Sequence, residues 1–129
     1  MKKSDFKFKN PYIKESIFKL NEGYTHQETT TIKTNIRPYH NYIPEADKPS
    51  AICGLVLEVG TETPESPFYI RLVMEALFAW ENKEDGEIHS FLNINAPSLL
   101  AGYARPIIAF LTANSPYPPF HLSFINFKE

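Results

Sequence analysis

Few side chains in this sequence have the type and spacing that chemistry requires. The four histidines, His26, His40, His89 and His121, are scattered along the chain without the spacing of metal ligands. The single cysteine, Cys53, cannot form an internal disulfide, and its apolar neighbours predict a small buried side chain. We therefore expect no metal site and no cofactor.

Nucleophiles and carboxylate pairs give an equally weak signal. Neither Ser98 nor Ser115 has a recognisable partner base, and no G-x-S-x-G turn is present. The acidic pair Glu84-Asp85 is typical of a turn, and the five glycines form no phosphate-binding loop. These patterns predict that the protein is not an enzyme.

Length and charge narrow the class of protein. A chain of 129 residues suits one domain, residues 1–129, with its own core. Its 13 basic and 15 acidic residues give a net charge of -2, which argues against nucleic acid or an anionic membrane as partner. The amino terminus lacks the apolar stretch of a secretion signal, and no run of about 18 apolar residues could insert into a membrane. We expect a cytoplasmic protein.

Alternation of apolar and polar residues predicts four strands before any helix. The first is an edge strand that Asn10-Pro11 kinks, and the second has a thin apolar face made by Ile32 and Ile36. Turn residues at 63–67 and 83–86 separate and end the last two strands. The predicted strands are residues 6–20, 24–39, 50–62 and 68–80.

A helical period begins at about Asn95, which is a plausible N-cap, with Pro97 in the first turn. One apolar stripe then continues to about Asn114, and an irregular apolar tail rich in proline and aromatic residues follows. Strands followed by a helix predict the α+β class, here a four-stranded antiparallel sheet with one long C-terminal helix.

One helix is too narrow to cover a four-stranded sheet. We therefore expect several copies to associate through the helix or the kinked edge strand, which removes the remaining apolar surface from water. The predicted interface residues are Phe6, Phe8, Tyr12, Leu99, Tyr103, Ile107 and Phe110.

Two stretches carry a family resemblance. APSLLAGYAR, residues 96–105, and YPPFHLSFINF, residues 117–127, resemble the helix and crossover loop of the SecB family of protein-export chaperones. Residues 6–8 and 12–18 are similar to that family's first strand. The resemblance spans nearly the whole chain and is densest in its last third.

The resemblance implies a dimer of dimers, with helices between the sheets, that holds unfolded polypeptides without ATP. Such a chaperone binds its clients in an apolar groove, and large aromatic contacts summed along a client give affinity without reading one sequence. Each ring has the alternative role of completing the subunit's own core. The groove residues that the resemblance predicts are Ile32, Ile36, Tyr117, Phe120, Leu122, Phe124 and Phe127.

Docking to the export motor uses an acidic sheet surface in this family, and the matching positions are Glu15, Lys19, Tyr69 and Arg71. Only Glu15 is acidic, so we expect weaker steering of a basic partner. The family's second helix and acidic tail, expected after Phe127, are not found before Glu129. Two other functions stay open: a dedicated adaptor for one partner, such as an antitoxin, and a small-ligand-binding protein with a closed polar pocket.

Overall fold

The computed structural model describes residues 6–27 and 30–128. Five strands form one antiparallel sheet, and a helical segment and an irregular tail, residues 114–128, follow it. This order confirms the predicted α+β class. The strands are β1 (Lys7–Phe8), β2 (Tyr12–Leu20), β3 (Thr34–Tyr42), β4 (Ser50–Gly60) and β5 (Phe68–Ala79); the helices are α1 (Asp85–Ser90) and α2 (Ala96–Ala113), joined by a π-helical turn, Phe91–Asn95.

The predicted first strand is two strands, so the sheet has five rather than four. Both β1 and β2 pair with β5, and β4 and β3 complete the sheet on its other side. The break lies at Asn10-Pro11, where proline has no amide hydrogen to give to a ladder. Because both pieces share one neighbour, the sheet is still four positions wide.

The second predicted strand begins ten residues later than expected, at Thr34, and ends at Tyr42 instead of Tyr39. The extent of the partner strand, β4, sets where β3 begins. Thr34 pairs with Val59, and β4 ends at Gly60, whose φ of 77° turns the chain away. Residues 30–32 therefore have no strand to pair with, and Ile32 lies outside the sheet.

Pro38 stands in the middle of β3 without weakening it. The amide of Ile43 donates to Ser50 O at 3.0 Å, and hydrogen-bonded pairs alternate along an antiparallel ladder. Counting back from Ile43 puts Pro38 in a non-hydrogen-bonded pair, with its ring nitrogen toward the open edge. Proline at that place removes a donor from the edge, a common protection against unwanted strand pairing.

The helix begins at Asp85, ten residues before the predicted N-cap. Asn95 has helical backbone angles, φ −73° and ψ −44°, and its side chain makes no capping hydrogen bond. The helix passes through the π-helical turn, in which the Ala96 amide donates to the carbonyl of Phe91, five residues back. The N-cap prediction was therefore wrong, and the predicted turn at 83–86 contains the start of α1.

The core lies between α2 and one face of the sheet. Alternate residues of β4 and β5 point into it, as their period predicted, and Leu100, Ala104 and Ile108 of α2 pack against them. Cys53 belongs to this core, and burial raises the pKa of its thiol to about 12. No helix in the described ranges is both long enough and apolar enough to cross a membrane.

Candidate functional site

The C-terminal tail is fastened to α2 through two side chains of the helix. Thr112 is fully buried, and its hydroxyl donates to the Ile108 carbonyl at 2.9 Å and accepts from the Phe120 amide at 2.6 Å. Two turns earlier in α2, Arg105 Nε donates to the Leu122 carbonyl at 3.1 Å. These two bonds hold an irregular segment in a defined place.

Aromatic rings from four segments meet where the tail crosses the end of the sheet. Phe68, the first residue of β5, contacts Tyr117 and Phe120 of the tail, with ring centroids 6.4 Å and 6.5 Å away. Phe18 of β2 lies 6.1 Å from the same ring, and Tyr24 meets Tyr117 edge-on at 5.8 Å. We call this cluster, together with the rest of residues 115–128, the tail site.

The predicted groove residues divide into three groups by exposure. Leu122 is 3% exposed and belongs to the core. Phe124 is 89% exposed, and Cζ of Arg105 lies over one side of its ring, 3.8 Å from the centroid. The remaining five are half-buried against the core: Ile32, Ile36, Tyr117, Phe120 and Phe127. The tail therefore contributes to the subunit's own core and also presents apolar surface.

Sequence reasoning missed several members of the tail site. Phe18 and Phe68 were placed on strands, but only the antiparallel register of β2 with β5 brings their rings together. Thr112 carried no signal, and Arg105 stood out only as part of the family resemblance, because the contacts of both depend on a tail that has no regular period. The paired prolines Pro118 and Pro119 indicated an extended segment, which was the available sequence clue.

The sheet face opposite α2, here called the outer face, is crossed by a row of polar side chains. Tyr12, Glu75, Gly54 and Tyr39 are successive partners on β2, β5, β4 and β3. The buried Glu75 carboxylate accepts hydrogen bonds from both tyrosines, 2.8 Å from Tyr12 Oη, and from Lys14 Nζ at 3.4 Å. The Tyr39 ring reaches it by lying across Gly54.

These contacts alter the ionisation of the groups in the row. Burial by itself raises the pKa of Glu75, but the hydrogen bonds from Tyr39, Tyr12 and Lys14 together hold it below its ordinary value. Burial, and then the hydrogen bond from Tyr39 to Glu75, raises the pKa of Tyr39. The pKa of Tyr12 is raised first by its own hydrogen bond to Glu75. Glu75 is therefore an ionised acceptor with two neutral phenol donors and one ammonium donor, an arrangement with no poised acid or base.

The rest of the outer face consists of charge pairs. Glu15, the predicted docking residue, accepts from Arg71 Nε at 2.5 Å, and Arg71 also lies 4.0 Å from Glu58. Lys19 pairs with Glu62 at 2.6 Å. Burial, then the hydrogen bond to Glu58, raises the pKa of Tyr69 to about 12. The three charges at the four matching positions are thus paired within the chain, and the fourth position, Tyr69, donates to Glu58.

Two depressions on the outer face, of about 470 Å³ and 700 Å³, open to solvent. The lining of the smaller includes Glu15 and Arg71, and that of the larger includes Glu58, Glu62 and Tyr69.

The predicted interface residues lie in two places. Phe6 is half-buried and stacks on Phe91 at 3.9 Å, whereas Phe8 and Tyr12 are half-exposed along the β1 and β2 edge. On the outward side of α2, Tyr103 and Phe110 are exposed, and Leu99 and Ile107 are half-buried. A depression of about 400 Å³ lies on this side of the helix, lined by Ser98, Leu99, Gly102, Tyr103 and Pro106.

The sequence profile of the family described as preprotein translocase subunit SecB matches residues 1–129. The chain belongs to the SecB family. A protein-export protein SecB of Jannaschia sp. is 36% identical over 66 residues, which are 51% of this chain and 39% of that relative. An uncharacterized protein of Methanocaldococcus jannaschii is 28% identical over 125 residues, 96% of this chain and 81% of that relative. The match thus covers well under half of the Jannaschia SecB.

Solved structures share the SecB-like fold. A Mycobacterium tuberculosis SecB-like chaperone, determined with a peptide from the HigA1 antitoxin, superposes with a TM-score of 0.75 at 12% identity, covering 95% of this chain and 91% of that one. A protein of unknown function from Streptococcus agalactiae gives a TM-score of 0.65 at 13% identity, covering 92% and 97%. These similarities show that the fold is shared.

Proposed function

We propose that this SecB-family protein holds unfolded or partly folded polypeptides at the tail site, in the cytosol and without ATP. The observation that carries the proposal is the exposed ring of Phe124, which is fixed over Arg105 beside half-buried aromatic side chains. A chain that exposes a large aromatic ring at a fixed place leaves a contact surface open to a partner.

The composition of the tail site suits clients of many sequences. Its contacts are mostly aromatic and aliphatic, and such surfaces gain free energy from apolar burial without a fixed hydrogen-bond pattern. An extended client that covers several rings sums these small gains along its length. Release then needs no nucleotide, because each contact is weak and breaks separately.

We further propose that the working form is a homo-oligomer, a dimer of dimers. The outward side of α2 exposes Tyr103 and Phe110, and the edge formed by β1 and β2 exposes Phe8 and Tyr12. The subunit therefore has two separate apolar surfaces that other copies could bury. Two kinds of contact are what a dimer of dimers requires. Half-buried Leu99, Ile107 and Phe6 border these surfaces and would extend them.

Export is the use of held clients that family membership favours. Docking of an export motor at Glu15 would require that carboxylate to exchange its Arg71 partner for a cation of the motor. A dedicated adaptor is the second candidate, because the M. tuberculosis chaperone of similar fold was determined with an antitoxin peptide. Small-ligand binding is the third, and the outer-face depressions are where it would occur.

The test measures aggregation of several unrelated denatured proteins, without nucleotide, in the presence of the wild type and of Phe124→Ser. We expect the wild type to suppress aggregation of most clients, and the variant to need about tenfold more protein because a large aromatic contact is lost. Suppression limited to one client would favour the dedicated adaptor.

The matched control is Tyr42→Ser, which removes another exposed aromatic ring, at the far end of β3 from the tail site. We expect this variant to behave as the wild type does. Equal activity of wild type and Phe124→Ser, or no suppression by any of the proteins, would contradict the proposal.

A further inference from the structure

The charged side chains around the two outer-face depressions are unevenly paired. Each carboxylate that lines them has a partner within the chain, and the pairs are Glu15–Arg71, Glu58–Tyr69 and Glu62–Lys19. Two of the lining cations, Lys33 and Arg37, form no ion pair with any carboxylate of residues 6–27 and 30–128. The unpaired charge of the outer face is therefore positive.

Arg37 lies beside a small apolar floor. It pairs with Val56 across β3 and β4, and Val56 pairs with Val73 of β5. The two valines line the smaller depression and are 6% and 5% exposed. Arg71, which lies on β5 with Val73, lines the same depression, so two arginines flank the valines from strands roughly 10 Å apart.

These two guanidinium groups have donors to spare for a carboxylate. Arg37 is exposed, and a guanidinium can bind a carboxylate through two parallel hydrogen bonds. Arg71 uses its Nε for Glu15, but its second nitrogen lies 4.0 Å from Glu58, which is too far for a hydrogen bond. The methylene groups of an Asp or Glu side chain would lie on the valines between the two arginines.

The walls and floor of this depression favour a side chain of a peptide over a free inorganic anion. Both β4 and β5 are paired on their two sides, so their backbone amides are directed into the sheet. Sites for free phosphate usually depend on unpaired backbone amides. A basic segment is also a poorer occupant, because it would have to displace Arg71 or Lys19 from an existing pair.

We propose that the outer face docks an acidic segment of a partner protein, with one Asp or Glu side chain bound between Arg37 and Arg71 above the two valines. A second carboxylate of the segment pairs with Lys33, which immediately precedes β3. The site lies on the sheet face opposite α2 and does not rest on client holding, so the partner leaves the tail site open.

The test uses three labelled peptides of one glycine- and serine-rich sequence, blocked at both ends, that carry Glu, Gln or Lys at the same alternate positions. They lack apolar side chains, so the tail site contributes little to their binding. Fluorescence anisotropy should show that the full chain binds the Glu peptide about tenfold more tightly than the Gln peptide, and the Lys peptide least tightly. At about 0.5 M NaCl this preference should shrink, since salt screens exposed charges.

Variants of one exposed arginine test the site itself. Arg37→Gln should weaken binding of the Glu peptide by about three- to tenfold, and Arg37→Lys should give an intermediate affinity because it keeps the charge without the paired donors. Lys9→Gln is the control: it removes one charge from an exposed lysine between β1 and β2 that lines neither depression. We expect its affinity to stay within about twofold of the wild type.

Each other outcome overturns the proposal. Equal binding of the Glu and Gln peptides, or no binding of either, contradicts an acidic partner, and tightest binding of the Lys peptide means that the face docks a basic segment. Equal losses in Arg37→Gln and Lys9→Gln mean that the peptide responds to net charge alone. Displacement of the peptide by inorganic phosphate at matched ionic strength means a general anion site. Client holding is measured separately by the aggregation test, so its failure is distinguishable from each of these results.

Discussion

Gly54 shows how one missing side chain can connect three strands. A Cβ atom at Gly54 would lie 2.0 Å from Cζ of Tyr39, well inside contact distance, so the Tyr39 ring occupies the space that any other residue would fill. Across this gap Tyr39 reaches Glu75, which also binds Tyr12. The row therefore ties β3, β4, β5 and β2 together on the outer face.

We expect Gly54→Ala to lower the free energy of unfolding by about 1–3 kcal/mol, because the Tyr39 ring must move and Glu75 loses a buried hydrogen bond. Urea unfolding followed by tryptophan fluorescence measures this change. Gly86→Ala is the matched control: a Cβ there meets nothing within 4 Å, and Gly86 lies in α1, where alanine favours the helix. Equal stability of the two variants would contradict the role given to Gly54.

At the scale of elements, the two edge strands differ in their protection against foreign pairing, and the tail is attached through side chains of α2. β3 carries Pro38 at its open edge, which limits pairing with a foreign strand, whereas β2 has no proline between Tyr12 and Leu20. The tail has no regular structure and is attached through Thr112 and Arg105. Its position therefore depends on few bonds, and each is open to test.

We expect Thr112→Val, which keeps the shape of the side chain, to destabilise the protein by about 1–2 kcal/mol, since the Phe120 amide loses its acceptor in a buried place. Hydrogen exchange at the Phe120 amide should speed up by at least tenfold while exchange in β4 and β5 changes much less. Thr112→Ser keeps the hydroxyl and should preserve the protection. Unchanged exchange in Thr112→Val would show that the tail is held by packing alone.

At the scale of the whole molecule, the two broad surfaces have opposite character. On the outer face, the polar row and the charge pairs find their hydrogen-bond and ionic partners within the chain. On the helix side, Phe110 is 68% exposed and Tyr103 is 42% exposed. The depression of about 400 Å³ on this side of α2 is lined in part by Tyr103. Burial of large rings stabilises association, so the helix side is the expected contact between copies.

We expect Phe110→Ser to lower the mass of the assembly in light scattering, because a large exposed ring is lost from the predicted contact between helices. Phe124→Ser provides the counterpart, with the same substitution in the tail site, and should keep the wild-type mass while it weakens client holding. If both variants retain the full mass, the outward side of α2 is not the contact surface. If the wild type is a monomer, the proposed assembly fails.

Much of this fold could be predicted from the local spacing of apolar residues in the sequence. The alternation of apolar residues along β4 and β5 identified two central strands, and the apolar stripe identified α2. In each element the spacing of apolar residues indicates which face is buried. The errors fell where local pattern is weak. The helix begins at Asp85 and continues through a π-helical turn, and residues 30–32 before β3 have no strand to pair with.

The sequence by itself determined the class of the fold, the two buried strands, the family and the apolar character of the tail, because composition and period are local properties of the chain. Only the tertiary structure decided that Phe18 and Phe68 join Tyr117, that Tyr39 crosses Gly54 to Glu75, and that Arg105 lies on Phe124. These residues meet because of the register between strands or the path of the irregular tail. Neither the register nor the path produces a periodic pattern of apolar residues in the sequence.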